Sequence, residues 1–402
     1  MNWGRELGGG KLFSSRLPES LAPNAVARSL SRLRAAGVPL IDLTISNPTS
    51  AGVSYPPDLL ASLADARGLQ YAPEPLGLRS AREAIAGHFS SHRAPIAPER
   101  VVLTASTSEA YAFLFKLLCS PGEAVLVPQP SYPLFELLTR LEGVSSQPYR
   151  LEYHGVWSID RVSVRRALTP ETRAILVVSP NNPTGAFVRA ADREWLAGLA
   201  AERGLAIISD EVFAGYPLRV REDATGFRGE SRALTFVLGG LSKWAGLPQV
   251  KLGWAFASGP DALVAAALEG LEVICDTYLS VSTPVQIAAP ALLRAGVANR
   301  IAIDLRLRQN LIRLETRLER HPALELLTPE GGWSAVLRVP ATTSEEALVL
   351  RLLEDAHVIA HPGYFFDFPD EAFVVLSLLT PTATFDEGLD RLLPIVAGGA
   401  AG

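Results

Sequence analysis

The stretch Leu234-Thr235-Phe236-Val237-Leu238-Gly239-Gly240-Leu241-Ser242-Lys243 decides how this chain is read. Its first five residues carry no charge and suit a buried strand; two glycines then end the run. Lys243 therefore falls on a loop just past a strand, the edge where open α/β sheets place their chemistry. The choice of lysine is itself informative. The chain has 37 Lys+Arg, yet lysine occurs only at Lys11, Lys116, Lys243 and Lys251. An ammonium on a flexible stem can lose its proton when buried and attack a carbonyl, which a guanidinium cannot do. The plainer alternative is a surface lysine on a loop, and the rest of the sequence decides between the two.

Working outward, strands alternate with helices. Val101-Val102-Leu103 is a short apolar run ending at Thr104, and Ala110 to Leu118 reads as a buried helix. Ala124 to Val127 is a second strand, closed by Pro128, and Ala174 to Val178 a third, broken by Pro180. Asp192 to Arg203 is an amphipathic helix with Trp195, Leu196 and Leu199 inward and Gly204 as its stop. Leu205 to Ile208 is a fourth strand, ended by Asp210-Glu211. The alternation predicts an α/β fold with a mostly parallel open sheet. Beyond about residue 290 the pattern changes. Leu307, Leu311, Leu314 and Leu318 stripe a long helix, Trp333 to Val339 reads as a strand, and Thr343 with Glu346 reads as a capping box. Val358-Ile359-Ala360 and Phe373 to Leu376 are further strands. This second texture predicts a smaller α+β domain that also takes in Ile41 to Ile45, a strand in need of a partner.

Three other segments fall at strand ends with Lys243. Asn181-Asn182-Pro183-Thr184-Gly185 makes a turn and offers the Asn182 amide. Asp210 ends a buried strand, where a carboxylate is costly unless paired. Ser106-Thr107-Ser108 opens a helix, and hydroxyls with free N–H groups at a helix N-terminus bind phosphate. Pro130-Ser131-Tyr132-Pro133 adds an aromatic ring at the same edge. Taken singly these read as a turn, an N-cap or a core tyrosine. Together they supply a phosphate cradle, a stacking ring, an oxygen partner, a carboxylate for a ring nitrogen and an imine-forming lysine, the set that pyridoxal phosphate requires.

Composition excludes other classes. The 402 residues are too many for one simple core, so two domains are expected. Hydrophobic residues make up 48% and charged residues 20%, and mean hydropathy is +0.20, values of a well-buried globular chain. Net charge is −5 with both signs interspersed and no basic stripe, which argues against nucleic acid. Cys119 and Cys275 sit among apolar residues as reduced thiols, and the six histidines show no metal-ligand spacing, so no metal is expected. The first 20 residues carry no apolar signal core and no apolar stretch is long enough to span a membrane, so a cytoplasmic enzyme is expected.

On these residues the chain resembles the fold-type I, class I/II pyridoxal-phosphate aminotransferases over nearly its whole length. Further matching strings are Asp42 to Pro48, Tyr71 with Gly77-Leu78-Arg79, and Pro362-Gly363. The resemblance implies a large cofactor-binding domain (residues 49–289), an N-terminal arm with part of the small domain (1–48) and a small C-terminal domain (290–402). It implies a homodimer with sites at the subunit interface. Lys243 then forms the imine and shuttles a proton, Asp210 holds the pyridine nitrogen and Asn182 bonds the ring oxygen. Tyr132 stacks on the ring. Ser106, Thr107, Ser108, Ser242, Lys251 and the other subunit's copy of Tyr71 complete the cofactor site, and Ser46, Asn182 and Arg16 approach substrate. The reactants are an amino acid or amine and a 2-oxo acid.

Four positions depart from the family pattern. Phe213 replaces a tyrosine that bonds the ring oxygen, Lys251 replaces an arginine on the phosphate, and Gly240 replaces a phosphate-binding serine. The arginine that clamps the substrate carboxylate is absent, its place near Ser377 taken by Val375 and Leu376. A lyase, decarboxylase or racemase on the same scaffold is therefore the second reading. A non-catalytic regulator is the third, disfavoured by the retained Lys243 and Asp210 and by too short an N-terminal segment for a DNA-binding module.

Overall fold

Apolar periodicity sets the element order. The computed structural model describes residues 13–18, 22–91, 94–219 and 221–398. The chain opens with α1 (Ala25–Ala35), β1 (Ile41–Asp42) and α2 (Arg79–Phe89). Then come β2 (Val101–Thr104), α3 (Thr107–Leu118), β3 (Ala124–Gln129), α4 (Leu134–Leu141), β4 (Ser145–Tyr153) and β5 (Trp157–Ile159). Next are α5 (Arg161–Ala167), β6 (Thr172–Val178), β7 (Val188–Arg189), α6 (Ala190–Arg203), β8 (Ala206–Asp210) and β9 (Ala224–Thr225). They lead to β10 (Thr235–Gly240), the one-turn α7 (Leu241–Trp244), β11 (Gly253–Ser258), α8 (Asp261–Tyr278) and α9 (Thr283–Leu318). The last part holds β12 (Glu325–Leu327), β13 (Ser334–Arg338), α10 (Glu345–Asp355), β14 (Val358–Ile359), β15 (His361–Pro362), β16 (Phe373–Ser377) and α11 (Thr382–Val396).

Eight strands form one sheet in the order β2-β11-β10-β8-β6-β3-β4-β5. Neighbours from β10 to β4 run parallel, whereas β11 is antiparallel to β10 and β2, and β5 to β4. Side chains alternate faces along each strand. Leu126, Ile175, Ile207 and Val237 pack with Ile85 of α2, Leu196 of α6 and Leu292 of α9 on one face. Val125, Leu176, Ile208 and Phe236 pack with Phe113 of α3 and Leu271 of α8 on the other. This is the doubly covered α/β sheet that the alternation implies. Two details differ. β3 does not stop at Pro128 but runs to Gln129, because its pairing with β6 ends at Leu126 while β4 continues alongside, so the missing donor breaks no ladder on the β6 side. β4 is long yet mostly polar (SSQPYRLEY), and its only antiparallel neighbour is the three-residue β5 near the sheet edge, so it carries no apolar signal.

A four-stranded antiparallel sheet, β12-β13-β16-β15, forms the second core. Ile41 and Asp42 of β1 find their partner in β14, pairing parallel with Val358 and Ile359. The described N-terminal residues thus join the C-terminal part, although 1–12 and 19–21 of the proposed arm lie outside the described residues. The boundary proposed at 289/290 falls inside α9, whose first half (Leu292, Leu293) packs on the large sheet and whose second half (Leu307, Leu311, Leu314) packs on the second core. The α10 cap is Ser344, not Thr343: its side chain accepts from Ala347 N, and Glu345 turns inward to accept from the Tyr364 and Phe373 N–H groups.

Candidate active site

The parallel registers Leu238↔Asp210 and Val178↔Asp210 place the Asp210 carboxylate at the carboxyl end of the central strands. Two residues past β10, Ser242 and Lys243 sit in the α7 turn rather than on an open loop. A cavity of about 210 Å³ covers this edge. Ser106, Thr107, Ser108, Tyr132, Asn182, Asp210, Phe213, Gly240, Ser242 and Lys243 all line it, joined by Tyr111 and by Leu134, Phe135 and Leu138 of α4.

The α3 entrance is built for an anion. Ser106 is its N-cap, accepting from Glu109 N at 3.1 Å, so the capping reading of this stretch also holds. Thr107 and Ser108 occupy the first turn, where backbone N–H groups have no helical acceptor and the dipole favours negative charge. β11 presses against this turn: a Cβ on Gly253 would lie 3.0 Å from the Ser106 carbonyl carbon and 3.2 Å from Thr107 N. Only glycine admits that approach.

Asp210 is buried, with both oxygens used. Tyr111 donates its hydroxyl hydrogen to Oδ2 at 2.7 Å, and Val212 N donates to Oδ1 at 3.1 Å. Burial pushes the carboxyl pKa up, while these two donors and the Lys243 charge pull it back. Burial lowers the Lys243 pKa, and Asp210 opposes that shift. Lys243 Nζ lies 5.5 Å from the Phe213 ring centre and 5.1 Å from that of Trp333. The Tyr216 hydroxyl holds the turn below by donating to the carbonyls of Lys243 (2.8 Å) and Trp244 (3.0 Å).

Asn182 is fixed from the far end of the sequence, its Oδ1 accepting from the Ser334 hydroxyl at 3.2 Å. Gly185 turns the loop at φ 73°, and a Cβ there would lie 2.6 Å from the Gly331 carbonyl oxygen. The 331–334 segment and the Asn181–Gly185 turn are thus in direct contact.

Four candidates do not line this cavity. Lys251 is exposed at φ 60°, one residue before Leu252, which does line it. Tyr71 is 78% exposed beside a separate cleft with Leu103, Phe113 and Gln286. Ser46 is exposed next to Ile45, whose carbonyl accepts from Ser377 Oγ. Arg16 is exposed and donates to the Leu141 carbonyl at the last residue of α4. Val375 packs with Trp157, Ala186 and Phe366, and Leu376 lies in the second core. Among the described residues no arginine lines the cavity. Sequence reasoning missed Tyr111, Trp333 and Ser334. A phenol in an otherwise apolar helix, one turn past a phosphate-type N-terminus, was the available signal for Tyr111; Trp333 and Ser334 offered none.

With this geometry in hand, comparison with known proteins is direct. Residues 38–392 match the family described as aminotransferase class I and II. The glutamate-pyruvate aminotransferase AlaA of Escherichia coli (strain K12) is 26% identical over 357 residues, covering 86% of this chain and 87% of that protein. The aspartate/prephenate aminotransferase of Thermus thermophilus is 29% identical over 393 residues, covering 95% and 98%. The solved alanine aminotransferase from Pyrococcus furiosus superposes with a TM-score of 0.84 at 26% identity, covering 92% of this chain and 95% of that one. The chain therefore belongs to the aminotransferase class I and II family. It is an aminotransferase of fold type I that depends on pyridoxal phosphate.

Proposed function

We propose that Lys243 is the residue that binds the cofactor covalently, and that the cavity above it carries out transamination between an amino acid or amine and a 2-oxo acid. The observation that carries this reading is that Lys243 and the buried Asp210 carboxylate line one cavity together with the helix N-terminus at Ser106–Ser108. The donor set fits the cofactor: the α3 turn suits a phosphate, Asp210 a cationic ring nitrogen, and Asn182 a ring oxygen. Pyridoxal phosphate supplies an aldehyde for the amine and an electron-accepting ring. The protein's part is to bind, orient and move protons. Ser106, Thr107, Ser108 and Ser242 hold the phosphate, with Lys251 adding charge from outside the cavity. Tyr132 would cover the ring face, and Phe213, having no hydroxyl, would border the ring without a hydrogen bond. Tyr111 and Val212 donate to Asp210 and so favour its anionic form. Lys243 Nζ, its basicity lowered by burial, takes and returns the proton at the substrate's Cα.

The same reading makes the enzyme a cytoplasmic homodimer with the three-part division 1–48, 49–289 and 290–402. Leu69 and Tyr71, 90% and 78% exposed, are apolar side chains suited to a subunit contact, which lets Tyr71 reach the other subunit's phosphate. Among the described residues no helix is long and apolar enough to cross a membrane. Arg16 and Ser46 remain the candidates for substrate contact from the N-terminal segment. The buried Val375 and Leu376 favour keeping a lyase or decarboxylase outcome as the second reading. Borohydride reduction of the loaded enzyme followed by peptide mapping tests the first: the cofactor mass should fall on Lys243 and vanish in Lys243→Ala. A label on another residue, or none, overturns it. Accumulation of pyridoxamine phosphate with a good donor supports transamination, whereas ammonia release without an acceptor supports elimination.

A further inference from the structure

The surroundings of Lys243 Nζ contain a feature that the family pattern does not explain. Trp333 is 3% exposed and stands edge-on to Phe213 (ring centres 5.3 Å, interplanar angle 66°) and to Tyr216 (5.4 Å, 69°). Among the described residues its indole Nε1 has no hydrogen-bond partner. Hydrogen bonding therefore does not account for a tryptophan here, and a buried N–H without an acceptor carries a cost. The ring itself is what is used: Nζ lies 5.1 Å from its centre and 5.5 Å from that of Phe213.

We propose that Phe213 and Trp333 form a two-ring seat for the Lys243 ammonium, and that Trp333 is a positioning residue that sets how readily Nζ gives up its proton when the lysine is free of the cofactor. An aromatic face attracts a cation and has no comparable attraction for a neutral amine, and the attraction grows where water is excluded. Burial acts the other way, stripping water from the ammonium. The other groups facing this site are Asp210 from β8, with the Tyr111 hydroxyl behind it on α3, and Tyr132 after β3. Asp210 also favours the cation, and the two tyrosine hydroxyls are neutral near pH 7, because burial raises both. Trp333 further packs on Tyr216, whose hydroxyl holds the Lys243 and Trp244 carbonyls, so one indole backs both ends of the lysine.

This inference rests on Lys243 being the reactive lysine, and its test uses cofactor-free full-length protein. Reductive methylation is followed against pH by peptide mass, with Lys116 and Lys251 as internal references. The midpoint of the rate profile reports proton affinity, while accessibility changes only the plateau. In Trp333→Leu the rate at about pH 7, relative to its own plateau, should rise about fivefold, the scale of one desolvated cation–π contact. Trp333→Phe, which keeps a ring face, should restore the wild-type midpoint. Phe213→Leu offers a second route if Trp333→Leu folds poorly, and should move the midpoint the same way. An unmoved midpoint in both leucine variants, or an equal shift in Trp333→Phe, overturns the seat. Failure of borohydride trapping at Lys243 is a separate result: it overturns the parent assignment and leaves the midpoint measurement standing.

Discussion

Tyr111 on α3 donates a 2.7 Å hydrogen bond to Asp210 at the end of β8, joining a helix that opens at the Ser106–Ser108 turn to a carboxylate lining the same cavity. Both groups are buried, and burial raises both pKa values; for Tyr111 the Asp210 charge adds to the rise. The phenol therefore stays a donor, and its hydrogen bond favours the ionised carboxylate against the burial that opposes it.

Tyr111→Phe removes that donor and leaves Asp210 with the Val212 N–H alone. A hydrogen bond to the charged form lowers a carboxyl pKa, so its loss raises it. The acid limb of the kcat/KM profile should move to higher pH, with activity near neutrality falling about tenfold. An unchanged acid limb would show that Asp210 does not govern it.

Asp210→Asn should separate activity from stability. The Asp210 pKa is raised in the folded state, so ionisation costs native stability as pH climbs from the unfolded value, about 3.9, through the folded one. Below both values the cost is absent. Cofactor-free Asp210→Asn should therefore melt at or above the wild-type temperature near neutral pH, with the difference shrinking in acid, while turnover falls by about a thousandfold or more. Melting curves at two pH values with one activity assay decide it.

Phe213→Tyr returns a hydroxyl to the ring that borders Lys243 Nζ. A donor to the cofactor's ring oxygen stabilises the deprotonated lysine-bound form, so the pH midpoint of the visible band should fall. A titration that superposes on wild type would remove Phe213 from the ring-oxygen position.

Ser344→Ala should cost about 1 kcal/mol by removing the cap of α10, and Thr343→Ala should cost far less. Chemical denaturation of both variants distinguishes them; equal losses would restore Thr343 as the cap.

The site was legible where local chemistry marks a strand end. Lys243, Asp210, Asn182 and the Ser106–Ser108 turn stand beside turn-forming residues or helix starts, and the parallel sheet gathers their ends without further instruction. Tyr111 left one mark, a phenol in an apolar helix, and that reads as core until its carboxylate partner is seen. Trp333 and Ser334 meet the cavity-lining residues Phe213 and Asn182, and Trp333 also Tyr216, through tertiary packing that no local pattern encodes. The cap is Ser344 rather than Thr343, its side chain accepting from Ala347 N, and two adjacent hydroxyl residues gave no local means of telling which one starts the helix. Strand β4, next to the sheet edge, was hidden by its polar composition, and the 289/290 boundary falls within a helix that spans both cores.

The pairing of Ile41 with Val358 bears on how the polypeptide is made. During synthesis the segment holding Ile41 leaves the ribosome long before Val358 and must wait for it, unpaired. The large sheet can assemble in the meantime, but the Ser334 hydroxyl that braces Asn182 arrives just as late. A nascent chain thus carries Lys243 well before it can finish the surroundings of that side chain, and a product cut short before residue 333 would lack both Trp333 and Ser334.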